Sequence, residues 1–167
     1  MRIADALLPE VEHEMAQTRK TLLRVPDDKF GFKPHEKSMA MGALAQHIAL
    51  MAGWGSGTLT SDSFDMAPAD GPAYQPPPVK NTAEIVALFD QGVADFKKAL
   101  ASTENDAMMQ PWSLLQGGKA IFTMPRAQVI RTMILNHIVH HRGQLSVYLR
   151  LNNVAVPALY GPSADES

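Results

Sequence analysis

The stretch that decides the fold is PRAQVIRTMILNHIVHHRGQLSVYLR, residues 125–150. Apolar side chains recur in it at Ile130, Met133, Ile134, Leu145, Tyr148 and Leu149, the three-and-four spacing of one face of an α-helix. Pro125 suits the first turn of such a helix, where a missing N–H leaves no bond unmade. His137 and His141 fall on the same stripe one turn apart, so two imidazoles can address a common point. Polar rings on an apolar face are costly without a partner. A divalent cation supplies one, since neutral imidazole is a good ligand for zinc, nickel or iron. The spacing equally serves core histidines bonded to main-chain carbonyls, so both readings stand at this point.

Upstream, Leu44, Ile48, Met51 and Trp54 mark a second helix that Ser38 can cap, its end blurred by Gly53, Gly55 and Gly57. His47 lies on its apolar stripe. Alone it reads as a core histidine, but with His137 and His141 it makes a cap of three imidazoles from two facing helices. Such a cap leaves coordination positions open, as catalytic rather than structural sites require. Position 138 is Ile where a zincin carries its glutamate base, so zinc-protease chemistry is unsupported. His140 falls on the flank of the stripe, and His13 and His35 read as solvated.

Leu7, Leu8, Val11, Met15, Leu22 and Val25 predict a first helix ending near Pro26, with Pro9 in its first turn and a short lead-in before it. Asn81 and Glu84 resemble a capping box, followed by the stripe Ile85, Leu88, Phe89, Phe96 and Leu100 of a third helix. Residues 61–80 are dense in Pro, Asp, Ser and Gly and read as a long non-helical connection, either a binding loop or a plain crossover. Two apolar runs between Trp112 and Thr123 flank Gln116-Gly117-Gly118, which suggests a small hairpin. Four helices with one long connection predict an all-α four-helix bundle, taken as a single domain over residues 1–167.

The composition narrows the function. Apolar residues make up 46% of the 167 and charged residues 19%, a globular balance large enough for one core. A net charge of −2, with basic residues scattered, leaves no surplus of Lys and Arg for a run of phosphates or an anionic membrane. No nucleic acid and no membrane are therefore expected as partners. With no cysteine, thiolate metal sites and disulfides are excluded, and a metal must use nitrogen or oxygen ligands. The absence of a signal-peptide core or a long apolar run predicts a cytoplasmic protein.

The run Asn136-His137-Ile138-Val139-His140-His141-Arg142-Gly143-Gln144-Leu145, with Tyr148-Leu149-Arg150, Val156-Pro157 and Tyr160-Gly161-Pro162-Ser163 after it, resembles the DinB/YfiT-like family. Lys33-Pro34, Ser38 and Met41-Gly42-Ala43-Leu44 leading to His47 resemble that family's second-helix segment, so the likeness spans nearly the whole chain. The resemblance implies an up-down-down-up four-helix bundle, often a homodimer, with a divalent metal ion held by His47, His137 and His141. Zinc or nickel leads as the metal, with iron a further candidate. Related proteins include transferases and isomerases that use a low-molecular-weight thiol such as bacillithiol, mycothiol or glutathione. The implied function is a metal-dependent thiol transferase acting on a small-molecule substrate. A metal-dependent hydrolase and a non-enzymatic metal- or ligand-binding stress protein stand as alternatives, so enzymatic activity stays open. No acidic residue falls on the His137–His141 stripe, which favours the thiol, although Asp62 or Asp65 from the loop could reach in as a base.

Overall fold

The computed structural model describes residues 1–167. Its long helices are α1 (Ile3–Leu22), α2 (Met41–Thr60), α3 (Thr82–Ser102) and a final run comprising α5 (Arg126–Val129), a π-helical segment (Ile130–Leu135) and α6 (Asn136–Leu151). A short α4 (Asn105–Met109) follows α3. The strands β1 (Ser63–Asp65), β2 (Pro111–Gln116) and β3 (Lys119–Pro125) form one sheet in that order, β1 parallel to β2 and β2 antiparallel to β3. The protein is thus mostly helical with a small sheet, and the all-α expectation is corrected by those three strands. The sheet exists because the hairpin offers β2 an open edge, which the 61–80 connection meets by adding β1.

The hairpin turns on Gly117 and Gly118, whose φ values of 61° and 74° are left-handed and suit a two-residue turn. Asp65 holds the two ends together by accepting from the backbone N–H groups of Ala67 (3.0 Å), Gly117 (3.1 Å) and Gly118 (2.7 Å). Desolvation alone would raise its pKa, but these three donors prevail and lower it.

Helix starts differ from expectation in instructive ways. α1 begins at Ile3, so Pro9 lies inside it and the lead-in is helical. That first turn is secured by the Arg2–Asp5 pair and by Asn105 Oδ1, which accepts from the Ile3 N–H at 2.7 Å. Those anchors offset the bond that a proline cannot donate. α2 starts at Met41 with Ala40 at its N-cap, and Ser38 lies outside it. The capping residue of α3 is as expected, with Asn81 accepting from the Glu84 N–H at 2.9 Å. Glu84 returns its bond to Lys80, one residue earlier than the capping box requires.

α2 runs straight through Gly53, Gly55 and Gly57 because two of them permit contact with α3 rather than breaking the helix. A Cβ on Gly92 of α3 would lie 2.7 Å from Gly53 N, and one on Gly55 would lie 2.7 Å from the Phe96 ring. Gly57 has nothing within 4 Å. Gly92→Ala is therefore expected to force the two backbones apart and destabilise by about 1–3 kcal/mol. Gly57→Ala should stabilise by up to about 1 kcal/mol through helix propensity. Urea denaturation of the pair checks this difference in sign.

The core gathers Leu22, Leu44, Ile48, Met51, Phe89, Phe96, Leu100, Ile130, Ile138 and Leu145 from all four long helical runs. Each fully buried side chain of this kind contributes roughly 1.5–3 kcal/mol relative to exposure. The end of α2 is tied to the final run by Arg126. Its guanidinium donates to the carbonyls of Thr58 (3.0 Å) and Ser61 (3.1 Å) and to Asp62 Oδ1 (2.6 Å). An arginine there satisfies carbonyls left over at the helix end and complements the negative pole of the helix dipole.

Candidate metal centre

Two parallel rows run along the final helix. The core row is Ile130, Ile134, Ile138, Arg142, Leu145 and Leu149, all buried, and beside it Met133, His137 and His141 form a half-buried row. The histidines therefore flank the core stripe rather than lie on it, and Ile138 takes the inward position. The π-helical turn helps set this phase, because its wider turn advances the residues after it relative to a continuous α-helix. At its end the Asn136 N–H bonds to the Arg131 carbonyl, five residues back.

On α2, His47 likewise sits half-buried beside the core residues Leu44, Ile48 and Met51, with the Trp54 ring two turns on in a T-shaped contact, centroids 5.4 Å apart. The fold brings His47, His137 and His141 together, with one nitrogen from each ring within 4.8 Å of the others. Ring centroids are 5.3 Å apart for His47 and His137, 4.8 Å for His47 and His141, and 4.6 Å for His137 and His141. This is a three-histidine group that could hold a metal ion. His13 and His35 are exposed and remote from it in contacts, one against Tyr160 and the other accepting from the Lys37 N–H. His140 is exposed and touches the site only through the His141 ring, at 4.9 Å between centroids.

The tautomers follow from the hydrogen bonds. His137 Nδ1 lies 3.3 Å from the Met133 carbonyl, which can only accept, so that nitrogen carries the proton. His141 Nδ1 lies 2.7 Å from Gln144 Oε1 and donates to it in the same way. In the neutral rings both Nε2 atoms then present lone pairs, and these face each other at 2.9 Å. Two acceptors at that distance repel unless a proton or a cation lies between them. Burial, and then the charge of His141, lowers the pKa of His137, which disfavours the proton. The donor set therefore fits a divalent cation, with Gln144 and the Met133 carbonyl orienting the two rings from behind. Sequence reasoning missed Gln144 in this role, although its place three residues after His141 is the spacing that puts it within reach.

Burial, followed by the charges of His141 and His137, pushes the pKa of His47 down to about 4 from 6.5. The metal-free folded chain then holds fewer protons here than the unfolded chain between those values. Its stability should be fully present above pH 6.5 and fall as the pH drops towards 4. Thermal melting of chelator-treated protein across this window checks the sign, and His47→Gln should flatten the dependence.

Beside His47 and His137 opens a cavity of about 670 Å³, walled by α2, the hairpin, the 61–80 segment and the π-helical turn. Phe64, Met66, Tyr74 and Pro76 come from the long connection, which is thus part of a cavity wall and not a plain crossover. No carboxylate lines it. Asp62 is held by Arg126 and Asp65 by the hairpin turn, so neither reaches the histidines as the base considered above.

No helix is long and apolar enough to cross a membrane. The chain is 29% identical over 163 residues to the uncharacterized protein YrdA of Bacillus subtilis (strain 168), spanning 97% of this chain and 90% of that one. Among solved structures it resembles a DinB-like protein from Bacillus cereus ATCC 10987, with a TM-score of 0.71 at 21% identity over 93% of this chain and 97% of that one. It also resembles the DinB-like protein YjoA from Bacillus subtilis, with a TM-score of 0.68 at 16% identity over 91% and 95%. These likenesses support the fold, and the sequence model of the DinB family matches residues 2–167. From end to end, then, the chain belongs to the DinB family.

Proposed function

We propose that this chain is a metal-dependent transferase working with a low-molecular-weight thiol, its divalent ion held by His47, His137 and His141. The observation that carries the metal is the convergence of three imidazoles, one nitrogen from each within 4.8 Å of the others, with the Nε2 atoms of His137 and His141 2.9 Å apart. Zinc, nickel and iron all suit three imidazoles. When bound, such an ion lowers the pKa of a thiol or water attached to it and supplies a nucleophile at neutral pH.

The chain's own residues do the rest. Gln144 and the Met133 carbonyl keep both rings in the ligating tautomer, and the Trp54 ring packs against His47. The cavity next to them, walled mostly by apolar side chains, receives the second substrate. Having no cysteine, the chain draws its thiol from solution. The hydrolase alternative needs a base beside the nucleophile, and the engagement of Asp62 and Asp65 elsewhere speaks against it. Family membership supports reading the four long helical runs as an up-down-down-up bundle, one domain over residues 1–167, acting as a cytoplasmic homodimer.

The test is to incubate metal-loaded protein with a panel of small thiols and 1-chloro-2,4-dinitrobenzene, following the coloured thioether as chloride leaves. Turnover with at least one thiol, abolished by a chelator, is expected. Absence of turnover with every thiol and with other electrophiles in place of the chloroarene overturns the transferase reading and leaves a binding protein.

A further inference from the structure

We infer that the cavity beside the histidines takes a neutral, largely apolar aromatic molecule and rejects an anionic one. As the substrate class of the proposed transferase this rests on that reading, but the occupancy itself does not.

The residues lining the cavity include no Asp, Glu, Lys or Arg. Its walls carry aromatic rings from three separate parts of the chain, Trp54 on α2, Phe64 and Tyr74 on the long connection, and Trp112 and Phe122 on the hairpin. The volume of about 670 Å³ lies within the range of sites for drug-sized ligands. A charged group entering such a space loses its hydration and finds no counter-charge.

Three of the polar side chains on the walls are already committed to the protein. Gln46 donates to the Pro77 carbonyl, Thr58 to the Trp54 carbonyl at 2.9 Å, and Ser61 to the Gly57 carbonyl at 2.7 Å. The polar features left for a ligand to meet are the imidazoles of His47 and His137, the Tyr74 hydroxyl and the indole N–H of Trp112, which is buried without a partner. The chemistry selected is an apolar ring system with its reactive end turned towards the histidines. A thiol bearing carboxylates has no place on these walls and must approach from the side of His141 and the exposed Gln144, neither of which lines the cavity.

Two probes that differ by one charge test this. N-phenyl-1-naphthylamine is neutral, and 8-anilinonaphthalene-1-sulfonate is the same skeleton with a sulfonate. The two tryptophans of the chain, Trp54 and Trp112, both line the cavity, so energy transfer from them reports occupancy. The neutral probe should bind saturably at one per chain, and the sulfonate at least about tenfold more weakly. Gly57→Leu places a side chain where a Cβ meets nothing within 4 Å at the cavity wall, in a helix that tolerates leucine well. It should weaken the neutral probe by about tenfold or more, with thermal stability retained. Equal binding of the two probes, or unchanged binding in Gly57→Leu, overturns the inference. All titrations are run on chelator-treated protein and repeated on His141→Ala, so a failed metal assignment leaves this result standing, and a failed probe leaves the metal assignment untouched.

Discussion

His141→Ala is expected to strip the protein of stoichiometric metal while its helical content stays as in the wild type. The site offers three nitrogens, and removing one leaves two ligands whose rings no longer share a preorganised point. Loss of a residue behind a metal ligand typically lowers affinity about 10–100-fold, so loss of a ligand itself should exceed that range. Gln144→Leu, which frees His141 Nδ1 without touching Nε2, should fall within it. His141 is half-buried and on a helix, where alanine is well tolerated, so the loss does not come from unfolding. Metal analysis of untagged protein, with circular dichroism alongside, decides the matter. An alanine variant that still carries one metal per chain would remove His141 from the ligand set.

The largest effect on stability is expected at Arg142, which the family run His-Arg-Gly-Gln marks but whose role only the structure assigns. The residue is 1% exposed and lies on the core row of the last helix, where its guanidinium meets α1. It donates to the Glu14 carboxylate at 2.8 Å, to the Glu14 carbonyl and Thr18 hydroxyl at 3.1 Å each, and to the Tyr160 hydroxyl. Tyr160 in turn donates to Glu14 at 2.7 Å, so the C-terminal tail is bonded into the pair. Arg142→Ala leaves Glu14 buried with its counter-charge gone, which should destabilise by about 3–5 kcal/mol. In a chain of this size that corresponds to a fall of roughly 10 °C in Tm. The double variant Glu14→Gln with Arg142→Met removes both charges and should recover much of the loss. A deficit below about 1 kcal/mol in the single variant would show that solvent reaches the pair after all.

Much of the candidate site was legible beforehand because helical periodicity and a four-residue histidine spacing are local quantities. His137 and His141 had to share a face whatever they packed against, and His47 stood out as the polar member of an apolar stripe. The turn at Gly117-Gly118 was equally local, since two successive left-handed residues have few other uses. Other features depended on what the neighbouring chain does. Gly53 and Gly55 blur the expected end of α2 until α3 is placed against them, when they become the reason two helices can touch. Ser38 is a good capping residue that the backbone does not use, because the loop before α2 delivers Ala40 to that position instead.

What the amino-acid sequence determined by itself is the four long helices, the hairpin and the shared face of His137 and His141, all consequences of spacing along a single backbone, while His47 joined that pair as a candidate that the family resemblance supported. The tertiary structure alone decided that the histidines stand beside the core rather than in it, that the Pro-rich connection joins a sheet and walls a cavity, and that Arg142 is interior. The reason is physical: periodicity defines a face but not its depth, and whether a side chain meets solvent, a cavity or a buried carboxylate is set by residues distant in the chain.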